Sequence, residues 1–372
     1  MREMKSGVLV LLVFAALTAT GTGKTPETER PRAKFEPPDG HVLHGWGQHV
    51  YLYEKETVPY VRALAKECVI ISDYVDLALI AGITPEIIAR VKKEHPKSVE
   101  GMTDGEIKKL IQRHSTTPAQ FAEFRKKSGK QYIPLFGVFW HFSNDKNIAE
   151  GRHDEQIRIF AAQVKKCDFP VFLRPGFEFG PHGYLGKKGQ TSREHYAKMF
   201  RHFVRIFRNE GVRNVAFVWN DVAVEAYSYW MEYYPGDKYV DWWGINLFSR
   251  KQIVGSNRFL QEAKKRGKPV MICESAPAFE GGTHDIRSIE RFFAPYFGLM
   301  EQHSHIKAFV YINIDWAAQK GNPFAHWPDS RIQSNMKVLD FYKRALSHER
   351  FMHLHCTRPF WLEREVIKDI SR

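Results

Sequence analysis

The chain has 372 residues, of which 43% are hydrophobic and 14% aromatic, and its formal net charge is +13. This size excludes a small disulfide-stapled scaffold and is sufficient for one large buried core. The positive charge suits an acidic partner, but the lysines and arginines are spread along the chain and no nucleic-acid-binding motif accompanies them, so we expect no nucleic-acid partner.

The first 21 residues have the pattern of a secretory signal peptide. Arg2 and Lys5 precede a short apolar run at residues 8–17, and the small residues of TATGTG follow it. The apolar run is too short to span a bilayer, and no other segment has the pattern of a membrane span. Residues 22–40 are rich in Thr, Pro, Lys and Glu, which is typical of a flexible linker. We therefore expect a secreted or periplasmic protein without a membrane span.

From residue 41 onward, short apolar or aromatic runs alternate with amphipathic stretches. Near-continuous apolar runs are typical of strands covered on both faces, as in parallel sheets. Eight strands alternating with helices predict a single (β/α)₈ TIM barrel at 41–347, followed by a C-terminal extension at 348–372. A doubly wound open sheet fits less well, because no GxGxxG turn follows the first run. The predicted strands are 41–48, 69–77, 132–140, 170–179, 215–220, 240–248, 269–277 and 306–316.

Two glutamates stand at equivalent places in this pattern. Glu178 ends the fourth run in PGFEFG, and Glu274 ends the seventh in MICESAP. Barrel enzymes carry their chemistry at the carboxyl ends of the strands, so both carboxyl groups are predicted to face the central pocket from nearly opposite strands. Retaining glycoside hydrolysis needs one protonated and one ionised carboxyl group about 5 Å apart. The phenylalanines beside Glu178 would raise its pKa, which suits the acid.

Other side chains near the strand ends are candidates for substrate binding. Aromatic rings pack on the apolar faces of sugars, although burial in the core is the alternative for each tryptophan. Arg174 is predicted to face inward and to keep Glu274 ionised, with a purely structural ion pair as the alternative. The predicted substrate-binding residues are Arg174, Trp46, Trp140, His141, Trp219, Asn220, Phe248 and Trp316.

The loop after the fourth run is a further candidate. GPHGYLGKKGQ, residues 180–190, has four glycines and two lysines. We predict a flexible loop that closes over a substrate or contacts an acidic sugar group. An anionic polysaccharide is therefore one of the candidate substrates.

At these residues the sequence resembles the clan A glycoside hydrolases and, within them, family 26, the β-mannanase-type barrels. The resemblance covers residues 41–346, and its motifs are FLRPGFEF, YYPGDKYVDWWGINLF and GKPVMICESAP. It implies that Glu178 is the acid/base, that Glu274 is the nucleophile, and that Trp316 closes the sugar pocket at the eighth strand.

Two positions depart from the family pattern. The residue before the acid/base is Asn in the clan and His in family 26 mannanases, but Phe177 here, and Phe248 occupies the area of a tyrosine often found near the nucleophile. These departures affect the expected identity of the sugar more than the expected mechanism. We expect a secreted, retaining, endo-acting hydrolase of a β-linked polysaccharide, with an inactive carbohydrate-binding barrel as the alternative. No metal or organic cofactor is predicted, and the chain is expected to be monomeric.

Overall fold

The structure is a computed structural model that describes residues 31–223, 229–318 and 324–354. The predicted signal peptide lies outside the described residues. Eight parallel strands form a closed barrel in which each strand pairs with the next, and the first pairs with both the second and the eighth. The predicted (β/α)₈ barrel is confirmed. Its strands are β1 (Val42–Gly47), β2 (Ile70–Asp76), β3 (Ile133–Phe139), β4 (Val171–Pro175), β5 (Val215–Val222), β6 (Trp242–Leu247), β7 (Val270–Ser275) and β8 (Ile306–Ile312).

Helices connect the strands, and the long segment between β2 and β3 contains three of them. None of the helices in the described part of the chain has the length and apolar character needed to cross a membrane. The α-helices of the described residues are α1 (Val58–Leu64), α2 (Pro85–Glu94), α3 (Asp104–Arg113), α4 (Pro118–Ser128), α5 (Asp145–Ala149), α6 (Asp154–Lys165), α7 (Tyr184–Lys187), α8 (Tyr196–Asn209), α9 (Arg250–Gly255), α10 (Asn257–Lys265), α11 (Ala294–Gln302) and α12 (Met336–Leu346).

Alternation along the strands divides the apolar residues into two layers. Side chains such as Leu135, Phe172, Trp242 and Val310 fill the barrel interior, whereas the larger cluster packs between the sheet and the helices. The Phe172 and Trp242 rings meet edge to face, with 5.3 Å between their centroids. Because the interior is packed, a polar site is left only where the strands end.

Residues 32–40 belong to the folded unit. The Phe35 ring is 3% exposed and packs edge to face on Phe172 at the amino-terminal end of the barrel, and Trp242 Nε1 donates to the Lys34 carbonyl at 2.7 Å. The linker predicted at 22–40 is therefore wrong for this part, because a polar composition concealed one buried aromatic ring.

The predicted C-terminal extension begins on the barrel. Phe351–Met352 form a ninth strand, β9, which pairs in parallel with β1. Residues 355–372 lie outside the described part of the chain.

Candidate active site

Five strands bring polar side chains to one end of the barrel, each from within its last three residues. Tyr74 comes from β2, Arg174 from β4, Asn220 from β5, Asn246 from β6 and Glu274 from β7. The carboxyl ends of the strands therefore form a polar mouth above the apolar interior, as the barrel fold predicts.

Glu274 is held by two donors that share one oxygen. Arg174 Nη1 donates to Oε1 at 2.7 Å, and the Tyr74 hydroxyl donates to the same atom at 2.9 Å. Glu274 is 5% exposed. The Arg174 guanidinium thus places a positive charge directly against this carboxyl group. In the described part of the chain no donor reaches Oε2, so this oxygen is available for reaction.

Arg174 is fully buried beside Glu274. Its Nη1 also donates to Asn220 Oδ1 at 3.0 Å, and the Tyr74 and Phe177 rings lie 5.6 and 5.1 Å from the guanidinium carbon. Burial lowers the pKa of Arg174, but the adjacent Glu274 and Tyr74 raise it by more. Arg174 therefore orients Glu274 and does not reach the cleft, which corrects its prediction as a substrate-binding residue.

Glu178 lies in a loop beyond the end of β4, not on the strand. The strand ends at Pro175, and both Gly176 and Glu178 have positive φ angles, of 63° and 50°. Glutamate rarely adopts this left-handed conformation. Here the Glu178 N–H donates to the Asn220 carbonyl at 2.9 Å, which fixes the turn and directs the side chain into the mouth.

Neutral donors hold the Glu178 carboxyl group. Asn246 Nδ2 donates to Oε1 at 2.7 Å, and the Tyr184 N–H donates to Oε2 at 2.8 Å. Burial, followed by the charge on Glu274, raises the pKa of Glu178 to about 7, although the two hydrogen bonds and Arg174 act in the opposite direction. Glu178 can therefore carry a proton near neutral pH and give it up.

The loop at 180–190 folds back tightly on Glu178. The Gly186 N–H donates to the Glu178 carbonyl at 3.2 Å. A Cβ at Gly183 would clash with the same carbonyl, and a Cβ at Gly186 would clash with the Gly180 carbonyl. The predicted flexible loop is thus a closely packed one, because its glycines permit contacts that side chains would prevent.

Three of the predicted substrate-binding tryptophans lie in the core. Trp46, Trp140 and Trp219 are at most 1% exposed and belong to the layer between the sheet and the helices. Trp219 packs on Trp243 with 4.8 Å between ring centroids. Their prediction as sugar-binding residues is wrong, because strand alternation turns Trp46 and Trp219 away from the mouth and Trp140, directly after β3, packs in the same layer.

Asn220 and His141 differ in their access to the mouth. Asn220 is fully buried, and its Nδ2 donates to Asn246 Oδ1 at 3.0 Å, so it supports other residues and cannot bind substrate as predicted. The His141 side chain is 39% exposed, and its Nδ1 lies 2.9 Å from Asp76 Oδ2. His141 therefore stays a candidate contact at the end of β3.

Trp316 and Phe248 belong to an aromatic wall at the β6–β8 side of the mouth. Both rings lie 5.1 Å from Trp327, and Phe279, which is 59% exposed, lies 5.6 Å from it. Trp316 itself is 1% exposed and Phe248 is 5% exposed. The more open rings of the wall are consequently the better surfaces for a sugar.

Sequence reasoning missed Tyr74, which lies in the middle of an apolar run. Its side chain shares a strand face with Ser72 and Asp76, so period-two alternation in IISDYVD was the available signal. Gly137 on β3 provides the space, because a Cβ there would lie 2.8 Å from the Tyr74 ring. Burial and the nearby Glu274 raise the pKa of Tyr74 well above its usual value, so it remains a hydrogen-bond donor.

No group of His, Cys, Asp and Glu side chains in the described ranges could hold a metal ion. The mouth therefore consists of one carboxyl group beside a buried cation, one carboxyl group with a raised pKa, and aromatic surfaces around them. This arrangement can donate a proton and attack an electrophilic carbon at the same time.

Three relatives with known names match part of the sequence. Two β-1,3-xylanases, from Alcaligenes sp and Vibrio sp, are 27% and 26% identical over 235 and 234 residues. Each match covers 56% of this chain, which spans about half of the relatives' own length, 49% and 50%. Endoglucanase H of Acetivibrio thermocellus is 33% identical over 163 residues, or 38% of this chain and 18% of that protein.

Solved structures and a family model also match the chain. An endo-β-1,4-mannanase of Cellulomonas fimi has a TM-score of 0.56 at 15% identity, covering 87% of this chain and 74% of that one. A β-mannanase of Bacteroides ovatus has a TM-score of 0.55 at 15% identity, covering 87% and 93%. These likenesses show the shared barrel fold. The model of glycosyl hydrolase family 26 matches residues 111–307, more than half of the chain. The chain therefore belongs to glycosyl hydrolase family 26.

Proposed function

We propose that the chain is a retaining hydrolase of a β-linked polysaccharide, with Glu178 as acid/base and Glu274 as nucleophile. The observation that carries the proposal is the contrast between the two carboxyl groups. Glu274 accepts a hydrogen bond from the buried guanidinium of Arg174, whereas burial raises the pKa of Glu178 to about 7. One group thus suits attack and the other suits proton transfer at neutral pH.

In the first step, Glu178 gives its proton to the glycosidic oxygen while Glu274 Oε2 attacks the anomeric carbon. The carbon–oxygen bond breaks, the leaving sugar departs as an alcohol, and an ester joins the remaining sugar to Glu274. In the second step, Glu178 takes a proton from water, the water oxygen attacks the anomeric carbon, and Glu274 leaves as a carboxylate. Two inversions at one carbon retain its configuration.

The donors around Glu274 Oε1 serve both steps. Arg174 and Tyr74 fix the carboxylate so that Oε2 points to the reacting carbon, and they stabilise the negative charge that returns when the ester breaks. Phe248, directly after β6, has no hydroxyl group that could donate to Glu274. The Tyr74 hydroxyl on β2 supplies this hydrogen bond instead.

The substrate to test first is β-1,3-xylan. Two relatives that match more than half of this chain are named β-1,3-xylanases, whereas the mannanases resemble it at 15% identity. Phe177, which replaces a polar neighbour of the acid/base in mannanases, packs on Tyr74 with 5.3 Å between ring centroids. Its apolar side chain offers no hydrogen bond to a mannose hydroxyl, which favours a substrate other than β-mannan.

The test is a panel of β-1,3-xylan, β-1,4-mannan, a β-glucan and an anionic polysaccharide, with detection of new reducing ends. We expect cleavage of β-1,3-xylan and formation of internal fragments. Activity must disappear in Glu178→Gln and Glu274→Ala, each shown to be folded by circular dichroism. Binding without cleavage by the wild type would instead support an inactive carbohydrate-binding barrel.

Export and monomeric state form part of the same proposal. The support for export is the signal-peptide pattern of residues 1–21. Expression of the full chain should give a protein outside the cytoplasm that starts after residue 21, as amino-terminal sequencing would reveal. Light scattering should give the mass of one chain.

A further inference from the structure

A histidine beside the nucleophile has no part in the mechanism above. His49, which follows β1, has a φ angle of 62°, a left-handed conformation that is uncommon outside glycine. Its ring lies 5.0 Å from the ring of Tyr74, whose hydroxyl donates to Glu274. Strained backbone of this kind persists where the surroundings hold it, and it clusters at functional sites.

Asp73 holds the His49 segment in this position. The carboxyl group is fully buried, with Oδ1 lying 3.2 Å from His49 Nδ1 and accepting the Tyr74 N–H at 2.7 Å. Its Oδ2 accepts the Val50 N–H at 2.8 Å. The contacts from His49 and Val50 tie the segment after β1 to β2 beside the nucleophile.

The contact with Asp73 also fixes what His49 offers to the cleft. A carboxylate only accepts hydrogen bonds, so Nδ1 carries the hydrogen and Nε2 of the neutral ring is an acceptor. In residues 31–223, 229–318 and 324–354 no group bonds to Nε2, and the side chain is 14% exposed. The buried Asp73 carboxylate thus orients a ring nitrogen that has no hydrogen-bond partner within these ranges.

Two neighbours of His49 suit an uncharged, ring-shaped ligand. The Tyr51 ring lies 5.2 Å from the His49 ring and is 44% exposed, which leaves an aromatic face for a sugar. The His114 ring lies 5.9 Å from the His49 ring and 6.3 Å from the Tyr51 ring. Burial lowers the pKa of His114 to about 4, so this neighbour is uncharged at neutral pH.

We propose that His49 is a substrate-binding residue whose Nε2 accepts a hydrogen bond from a hydroxyl group of the neutral sugar held beside Glu274, with Tyr51 as the adjacent stacking surface. The inference rests on the proposed function, because it needs a glycan in the cleft. It adds a specificity contact on the β1–β2 side of the mouth.

The test measures binding apart from catalysis. Glu178→Gln serves as the background, and the dissociation constant for soluble β-1,3-xylan fragments, or for whichever polysaccharide the wild type cleaves, is measured by calorimetry. His49→Ala should weaken binding about tenfold, as expected for one hydrogen bond and part of a packing surface. His49→Gln, which keeps an acceptor oxygen, should recover part of the loss.

A matched control separates substrate binding from loss of a histidine–carboxylate pair. His202 Nε2 lies 2.6 Å from Asp154 Oδ1 between two outer helices, so His202→Ala removes a similar pair away from the mouth. It should leave the dissociation constant unchanged. If His49→Ala also leaves it unchanged while the wild type cleaves the glycan, this inference is wrong and the proposed function stands. If the wild type neither cleaves nor binds any glycan of the panel, both are wrong.

Discussion

The two glutamates of the mouth are held by different kinds of structure. Glu274 lies on a strand, and its partners are side chains of two other strands, one of them the buried cation Arg174. Glu178 lies in a loop with left-handed backbone, and its partners are a backbone N–H and a neutral amide. The comparison teaches that the kind of hydrogen-bond partner distinguishes the two groups. Glu274 contacts a cation fixed on the sheet, whereas Glu178 contacts only neutral donors and can hold a proton.

The largest effect should separate the two glutamates by leaving group. Both Glu274→Ala and Glu178→Gln should lower kcat/KM on polysaccharide by roughly 10⁴-fold or more. On an aryl glycoside, whose leaving group needs no proton, Glu178→Gln should still form the glycosyl–enzyme ester in a rapid burst, because Glu274 is intact. Glu274→Ala should show no burst. Stopped-flow absorbance of the released phenol measures this difference.

Added azide extends the same experiment. In Glu274→Ala the small anion can occupy the space of the missing carboxylate and attack the anomeric carbon directly, so the product should be a glycosyl azide of inverted configuration. A burst in Glu274→Ala, or an azide product of retained configuration from this variant, would contradict the assigned roles.

The second effect concerns the support of Glu274. Tyr74→Phe removes one donor from Oε1 and should lower kcat/KM by roughly 10- to 100-fold, the size expected for a hydrogen bond to a charged group. Tyr342→Phe is the matched control, because Tyr342 is also a buried tyrosine whose hydroxyl is hydrogen-bonded, to Tyr60 at 3.0 Å. Steady-state kinetics at a fixed pH would give both values. Equal losses in the two variants would reduce Tyr74 to a structural residue.

The third effect concerns the loop side and appears in the pH profile. The acid form of Glu178 is required for the first step, so wild-type kcat/KM should fall as the pH rises through about 7. The hydrogen bond from Asn246 lowers the pKa of Glu178 by favouring its charged form. Asn246→Ala should therefore move the alkaline limb to higher pH, whereas a shift to lower pH would contradict this account of the acid.

The smallest effect is on stability, at a buried carboxyl group below the Glu178 loop. Asp221 Oδ1 accepts the Gly180 N–H at 3.2 Å, and among the described residues Oδ2 has no hydrogen-bond partner. Burial raises the pKa of Asp221 from 3.8 to about 8. Between these two pH values the folded state holds a proton that the unfolded state has lost, so the contribution of Asp221 to stability falls as the pH rises.

Asp221→Asn removes this titration while keeping the shape of the side chain. The melting temperature of the variant should approach that of the wild type near pH 5 and exceed it by a few degrees near pH 8. Thermal unfolding followed by circular dichroism across this range provides the comparison. A variant that is less stable than the wild type at pH 8 would show that Asp221 is ionised in the folded protein.

The sequence allowed the barrel to be predicted because strand runs and helices repeat locally. The same local pattern placed Glu274 at the end of β7, although strict alternation fails there, because Cys273 packs in the barrel interior and the pairing of β6 with β7 shifts register before Glu274. It also placed Glu178 at the mouth, although β4 stops at Pro175 and the intervening turn depends on Gly176. The turn is built by contacts with β5 and β6, which a local pattern does not contain.

The tryptophans show the opposite outcome. Trp46 lies between Gly45 and Gly47, and Cβ atoms on these glycines would meet Val310 inside the barrel, so Trp46 points outward. Alternation indicated this orientation, but the preference for aromatic rings in sugar sites outweighed it. The contacts of Tyr74 with Glu274 and of Asp73 with His49 join distant parts of the chain, so only the folded barrel reveals them.

The central claim is that Glu274 forms the covalent intermediate, while Glu178 donates a proton in the first step and accepts one in the second. A 2-deoxy-2-fluoro glycoside of the cleaved sugar, with a good leaving group, should trap this ester by slowing its hydrolysis. Peptide mass spectrometry of the trapped protein should find the sugar on the peptide that contains GKPVMICES, at Glu274, and label must be absent from Glu274→Ala. Label on Glu178, or turnover of the glycoside by an enzyme that never becomes labelled, would contradict the account.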